Sequence, residues 1–291
     1  MTTISRRAVL HAITAALGVV ALHRRARASD RMPTGFVAHG GPLIVVDPVR
    51  KAELAAWGRS MPKPRGIVVV TPHYRARTLQ VGHVGRGHAR YDFPSRLRRG
   101  IPDLEYATPS NEALATRARV LMTPRGEVTM AADRDGFDHT CWMPLFHMFP
   151  SADVPVVEIA MPFASDAELF ALGRALAPLR DEGVLVLASG NLTHNLASLD
   201  VEAKGPVAPW AVAFDEWTKK TLLARDVASL LDWRRTAPSA SLAHPDDGGH
   251  YRVMLVALGA AVGDGATFAS TRFTAEGFEL GAFSKRCVEL A

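Results

Sequence analysis

The sequence predicts a single α/β domain whose central sheet, mostly parallel or mixed, is flanked by helices. Three observations carry this. Short β-branched apolar runs at residues 66–71 (GIVVVT), 154–161 (VPVVEIAM) and 184–188 (VLVLA) are continuous enough to belong to a sheet covered on both faces. Between and after them, residues 111–121, 142–149, 166–179 and 209–223 carry helical spacing, giving the strand-helix alternation of an α/β fold. No linker, internal repeat or low-complexity stretch divides residues 29–291.

In chain order the first element is a leader. Residues 1–28 have a polar start, the pair Arg6-Arg7, an apolar run from 8 to 22, and Ala26-Arg27-Ala28 before Ser29, the pattern of a signal peptide cleaved after Ala28. The apolar run is short of the roughly 20 residues that span a bilayer, so no stable anchor is expected after cleavage. Ser5-Arg6-Arg7-Ala8-Val9-Leu10 resembles the twin-arginine export signal, which implies the twin-arginine machinery as a partner and a periplasmic or otherwise exported product.

The composition agrees with a folded, exported domain. The 291 residues are 48% hydrophobic and 22% charged, which excludes an intrinsically disordered chain. Five arginines and no acid precede Ser29; without those five, 29 basic residues stand against 29 acidic ones. The formal +5 is therefore a property of the leader and gives no support for a nucleic-acid partner. Two cysteines, Cys141 and Cys287, are too few for a disulfide framework and have no CxxC partner for a thiolate metal site. Cys141 is expected to pack on a helix face.

The remaining elements are read for what they place at a site. Phe36-Val37-Ala38, residues 66–71 and residues 184–188 are each followed closely by a histidine: His39, His73 and His194. If the strands are parallel, these three meet outside the carboxyl ends of the sheet, where open α/β folds bind ligands. Residues 76–108, rich in Gly, Arg and Pro, form either a long functional loop or a strand pair. Asp138 suits the cap of the helix that follows, with His139 ahead of the apolar positions Trp142, Leu145, Phe146 and Phe149. His147 lies off that stripe and is expected to be exposed. His250, Val253, Met254, Ala257 and Leu258 fall at i, i+3, i+4, i+7 and i+8, so His250 heads an inward stripe. A buried imidazole there must find a hydrogen-bond partner or bind a metal.

The segments Ala38-His39-Gly40-Gly41-Pro42, Thr71-Pro72-His73, Tyr91-Asp92-Phe93-Pro94, Gly136-Phe137-Asp138-His139-Thr140-Cys141-Trp142, Ser189-Gly190-Asn191-Leu192-Thr193-His194-Asn195, and His244-Pro245 through to His250 carry a resemblance across nearly the whole mature chain. Together they resemble the class III extradiol ring-cleavage dioxygenases, nearest the 4,5-DOPA dioxygenase-like branch. The resemblance implies a non-haem metal site at one sheet edge. His39 and His73 would be two ligands and His250 the third, with His244 a less favoured alternative and His194 able to approach as a fourth. His194 would be the acid/base residue and His139 a second active-site histidine that helps hold substrate or oxygen. A catechol-type aromatic and O2 would be the substrates, and Fe(II) the metal expected for oxygen activation. An all-imidazole set would host Zn(II) equally well.

Two other classes compete. A zinc hydrolase could use the same ligands to generate a bound hydroxide. A non-catalytic exported protein could bind metal or an aromatic molecule on the same fold, although it would have no need of His139 and His194. The sequence assigns no substrate-binding residue: Arg75, Arg77, Arg86 and Arg90 could neutralise a carboxylate or be solvated loop charges.

Overall fold

Alternation along the strands explains the layers. In the computed structural model, which describes residues 31–131, 134–200, 202 and 205–291, Ile67 and Val69 enter one apolar cluster while Val68 and Val70 enter another on the opposite face. Successive side chains of a strand point to opposite faces, so a run that is apolar at every position needs cover on both sides. The expected leader and its cleavage site lie outside the described residues.

The main sheet has eight strands: β1 (Thr34–Ala38), β2 (Gly66–Ala76), β3 (Leu79–Val81), β4 (Val128–Met130), β5 (Val156–Pro162), β6 (Val184–Gly190), β7 (Thr271–Ala275) and β8 (Cys287–Leu290). Their spatial order is β4-β3-β5-β2-β6-β1-β8-β7. The central four, β5, β2, β6 and β1, are mutually parallel, whereas β8 and β7 add antiparallel at one side and β3 pairs antiparallel with β5 at the other. The sheet is thus mixed, with a parallel centre. Six longer helices accompany it: α1 (Pro48–Ser60), α2 (Glu112–Met122), α3 (His139–Met148), α4 (Asp166–Leu176), α5 (Pro209–Ala224) and α6 (Gly249–Val262). Residues of α1 and α3 join the cluster with Ile67 and Val69, and those of α2, α4, α5 and α6 join the cluster with Val68 and Val70. Fully burying such a side chain contributes roughly 1.5–3 kcal/mol, which makes these two layers the main source of stability.

Two expectations are corrected and one open alternative is decided. β2 does not stop at Thr71 but runs on to Ala76, with a register shift between Thr71 and Arg75, so His73 sits within an irregular strand end rather than after it. Of the two alternatives for residues 76–108 the strand pairing is present: β3 joins the main sheet, and Arg86–Gly87 pairs with Thr108–Ser110 in a separate ribbon. His147, expected at the surface, is buried with its Nε2 3.0 Å from the Ile44 carbonyl, because the short turn Pro42–Val45 packs over that side of α3. Helix α6 is likewise more enclosed than a single stripe requires, since every residue in it except Arg252 is buried.

Candidate metal centre and active site

Three neighbouring parallel strands deliver the site. β1 ends at Ala38 and hands on to His39, β2 carries His73, and β6 ends at Gly190, four residues before His194. His250 arrives from the far side, in the first turn of α6, which starts after Gly248 in a left-handed conformation (φ 75°). Gly190 permits the approach. A side-chain carbon there would lie 2.1 Å from the His250 carbonyl oxygen, which instead accepts the Asn191 N–H at 3.1 Å.

His39, His73 and His250 each present a ring nitrogen within 4.8 Å of the other two. Their ring centroids lie 5.3–5.7 Å apart, and the Nε2 atoms of His73 and His250 face each other at 3.4 Å. Nitrogens about 2.0–2.1 Å from one ion are separated by roughly this distance, so the donor set fits a metal. The protonation pattern fits too. Pro144 has no N–H for the Thr140 carbonyl, which accepts the Ser189 hydroxyl at 2.5 Å. With its only proton given to Thr140, Ser189 can only accept from His39 Nδ1 at 3.1 Å, which leaves the lone pair of His39 on Nε2. Burial first, and then the neighbouring imidazoles, hold His39 and His250 well below the ordinary histidine pKa. His73, the exposed member of the group, is lowered as well, by desolvation and then by the neighbouring His139. All three are neutral, metal-competent bases at pH 7.

The other predicted residues surround this group. His194 stacks face to face on His250, with centroids 3.4 Å apart, and its other side meets Phe283 at 5.1 Å. Burial, outweighing the attraction of Asp246, lowers its pKa to about 4. His139 lies beside His73 at 4.9 Å and against Phe93 at 5.0 Å. Its helix is capped by Asp138, which accepts from the Cys141 N–H and the Thr140 hydroxyl and is tied to Thr71 and Arg134. Cys141 is buried, and burial together with Glu158 raises its thiol well above the usual range, so it packs as an inert group.

His244 is not brought into the histidine group. Its Nε2 points at the Leu192 carbonyl at 2.8 Å, and Phe214, Trp233 and Tyr251 enclose the ring. Arg75 is ion-paired with Asp247 and lies over the Phe163 ring, so its charge is already committed. Sequence reasoning assigned no role to Ser189 or Asp92. Asp92 accepts from His139 Nδ1 at 2.8 Å, and Asp246 offers a carboxylate oxygen within 4.8 Å of His194 and His250 donors. Ser189 and Asp92 lie inside recognisable motifs, but no local spacing links either to its histidine.

Comparison with known proteins agrees with this arrangement. The model of the catalytic LigB subunit of aromatic ring-opening dioxygenase matches residues 48–282. The 4,5-DOPA dioxygenase extradiol of Escherichia coli (strain K12) is 32% identical over 270 residues, covering 90% of this chain and 96% of that protein. The protein of the same description from Beta vulgaris is 34% identical over 237 residues, 78% of this chain and 86% of its own length. A crystal structure of an uncharacterized Escherichia coli K12 protein superposes with a TM-score of 0.74 at 32% identity, covering 90% of this chain and all of that one.

Proposed function

Because the chain belongs to the LigB family of aromatic ring-opening dioxygenases and is a metal-dependent extradiol enzyme, we propose that His39, His73 and His250 hold its metal, that the metal is Fe(II), and that a catechol-type aromatic is cleaved with O2. The observation that carries the ligand set is the convergence of three neutral imidazole nitrogens at the carboxyl edge of the sheet. A three-donor set leaves coordination positions for both catechol oxygens and for O2. Bound Fe(II) would supply the electron transfer between ring and O2 that Zn(II), though equally at home among imidazoles, does not.

The chain's own residues handle protons and exclude water. His194, neutral and adjacent to His250, takes the second catechol proton and returns it as the ring opens. His139, beside His73, hydrogen-bonds on the oxygen side. Phe93 and Phe283 back these two rings with apolar surface, limiting access of water to the reacting ring.

The test is oxygen uptake. Protein loaded anaerobically with Fe(II) and offered a panel of catechols is expected to consume one O2 per catechol and yield a yellow ring-opened product. Tight catechol binding without oxygen consumption would favour the binder reading instead.

We further propose that the mature protein is periplasmic or otherwise exported by the twin-arginine route, cleaved near Ala28 and left without a stable membrane anchor. The motif at residues 5–10 supports this, and among the described residues no helix is long and apolar enough to cross a membrane. Arg6→Lys combined with Arg7→Lys keeps both charges but removes the receptor-read pair, so uncleaved precursor is expected to accumulate inside the cell. Periplasmic arrival at the normal rate would refute the route.

A further inference from the structure

Asp92 lies in a loop 47 positions before His139, yet one of its oxygens accepts from two groups of that histidine: the backbone N–H at 2.9 Å and ring Nδ1 at 2.8 Å. An ionised carboxylate can only accept, so the ring nitrogen that meets it, Nδ1, carries the hydrogen. The carboxylate side chain is only 24% exposed. Burial works against its charge, but the bonds from His139 prevail and hold it below the usual carboxylate range.

The loop is itself anchored. Trp142, in the first turn of α3, donates from Nε1 to the Arg90 carbonyl at 2.8 Å. The Arg90 N–H donates to the Phe137 carbonyl and the Phe137 N–H to the His88 carbonyl, both at 2.9 Å. Tyr91 Oη accepts the Leu104 N–H at 2.6 Å. Arg90 and Tyr91, the two residues before Asp92, are thus tied to Phe137, Trp142 and Leu104, which fixes the loop that carries the carboxylate beside His139.

We propose that Asp92 is a positioning residue: it holds His139 as the Nδ1–H tautomer and aims an unprotonated Nε2, a proton acceptor, at the reaction site beside His73. This rests on the reading of His139 as an active-site group, and it gives that group a defined role. An imidazole that carries its hydrogen on Nδ1 accepts at Nε2 and donates there only when both nitrogens bear hydrogen.

The experiment pairs kinetics with a direct view of the ring. In the zinc-loaded protein, ¹⁵N NMR of labelled histidines, with the His139 signal assigned by its loss in His139→Gln, is expected to show Nδ1–H in the wild type and a shift toward Nε2–H in Asp92→Asn. In the Fe(II) enzyme, Asp92→Asn is expected to keep full metal content and a nearly unchanged KM while kcat falls about 10- to 100-fold, the usual effect of a group that orients a reacting residue. In a His139→Gln background the same substitution should cost nothing more. Loss of metal in Asp92→Asn would make Asp92 a ligand and overturn the proposal, as would an unchanged tautomer or a multiplicative loss in the double variant. Should His139→Gln alone leave turnover intact, the reading of His139 fails, while the tautomer measurement still decides what Asp92 does.

Discussion

Alanine in place of His39, His73 or His250 is expected to abolish stoichiometric metal binding, whereas His244→Ala should leave most of it. The reason is geometric. The first three converge within 4.8 Å and have neutral nitrogens directed at one another, so each removal leaves two donors where three are needed. Loss of a group that merely orients a ligand costs roughly 10- to 100-fold in affinity; loss of a ligand itself should exceed this. His244 spends Nε2 on the Leu192 carbonyl inside an aromatic enclosure. Its removal leaves a buried acceptor unpaired, at a cost of about 1–3 kcal/mol in stability. Metal-to-protein ratio after dialysis, measured alongside the melting temperature, separates the two effects. Loss at His244 with retention at His250 would reverse the assignment.

His194→Gln is expected to bind Fe(II) and catechol nearly normally but to lose about 10²- to 10⁴-fold in kcat, the range for removing a general acid/base. His194 stacks on His250 and is not one of the three converging donors, so turnover rather than occupancy should depend on it. A fall in kcat with little change in substrate binding marks an interaction used in the transition state. Steady-state oxygen uptake and metal analysis on the same preparation provide the check. Metal loss would make His194 a fourth ligand, and full activity would exclude it as the base and shift that role to His139.

The hydrolase and binder alternatives lose ground for a reason outside the ligand set. Three imidazoles at a sheet edge are chemically neutral between zinc hydrolysis and oxygen chemistry; membership of the ring-opening dioxygenase family decides between them. Exposed arginines were equally ambiguous from sequence. In the fold Arg75 already has Asp247 as its partner, which removes it as a free anchor for a substrate carboxylate.

What the sequence by itself determined follows from local patterns. Apolar runs without alternation dictate strands covered on both faces, and histidines placed just beyond such runs must gather at the carboxyl edge once those strands are parallel. This is why His39, His73 and His194 could be named together from linear order. Helical spacing also put His250 on an inward face. It could not see that α6 is enclosed almost all round or that a second helix face of α3 buries His147, because periodicity reports one packed stripe and not the neighbours that cover the rest.

Tertiary structure decided what depends on contacts between distant segments. His244 and His250 are six residues apart and chemically alike; the missing side chain at Gly190 lets α6 close on β6 and bring His250 in, while the Leu192 carbonyl claims His244. The tautomer of His39 is set by Ser189 through a carbonyl that Pro144 leaves free, 150 residues of chain away from His39 at Ser189. Asp92 meets His139 across 47 residues. Hydrogen bonds of this kind have no period and no preferred sequence separation, so the identity of the ring that a carboxylate or hydroxyl will orient exists only in the folded chain.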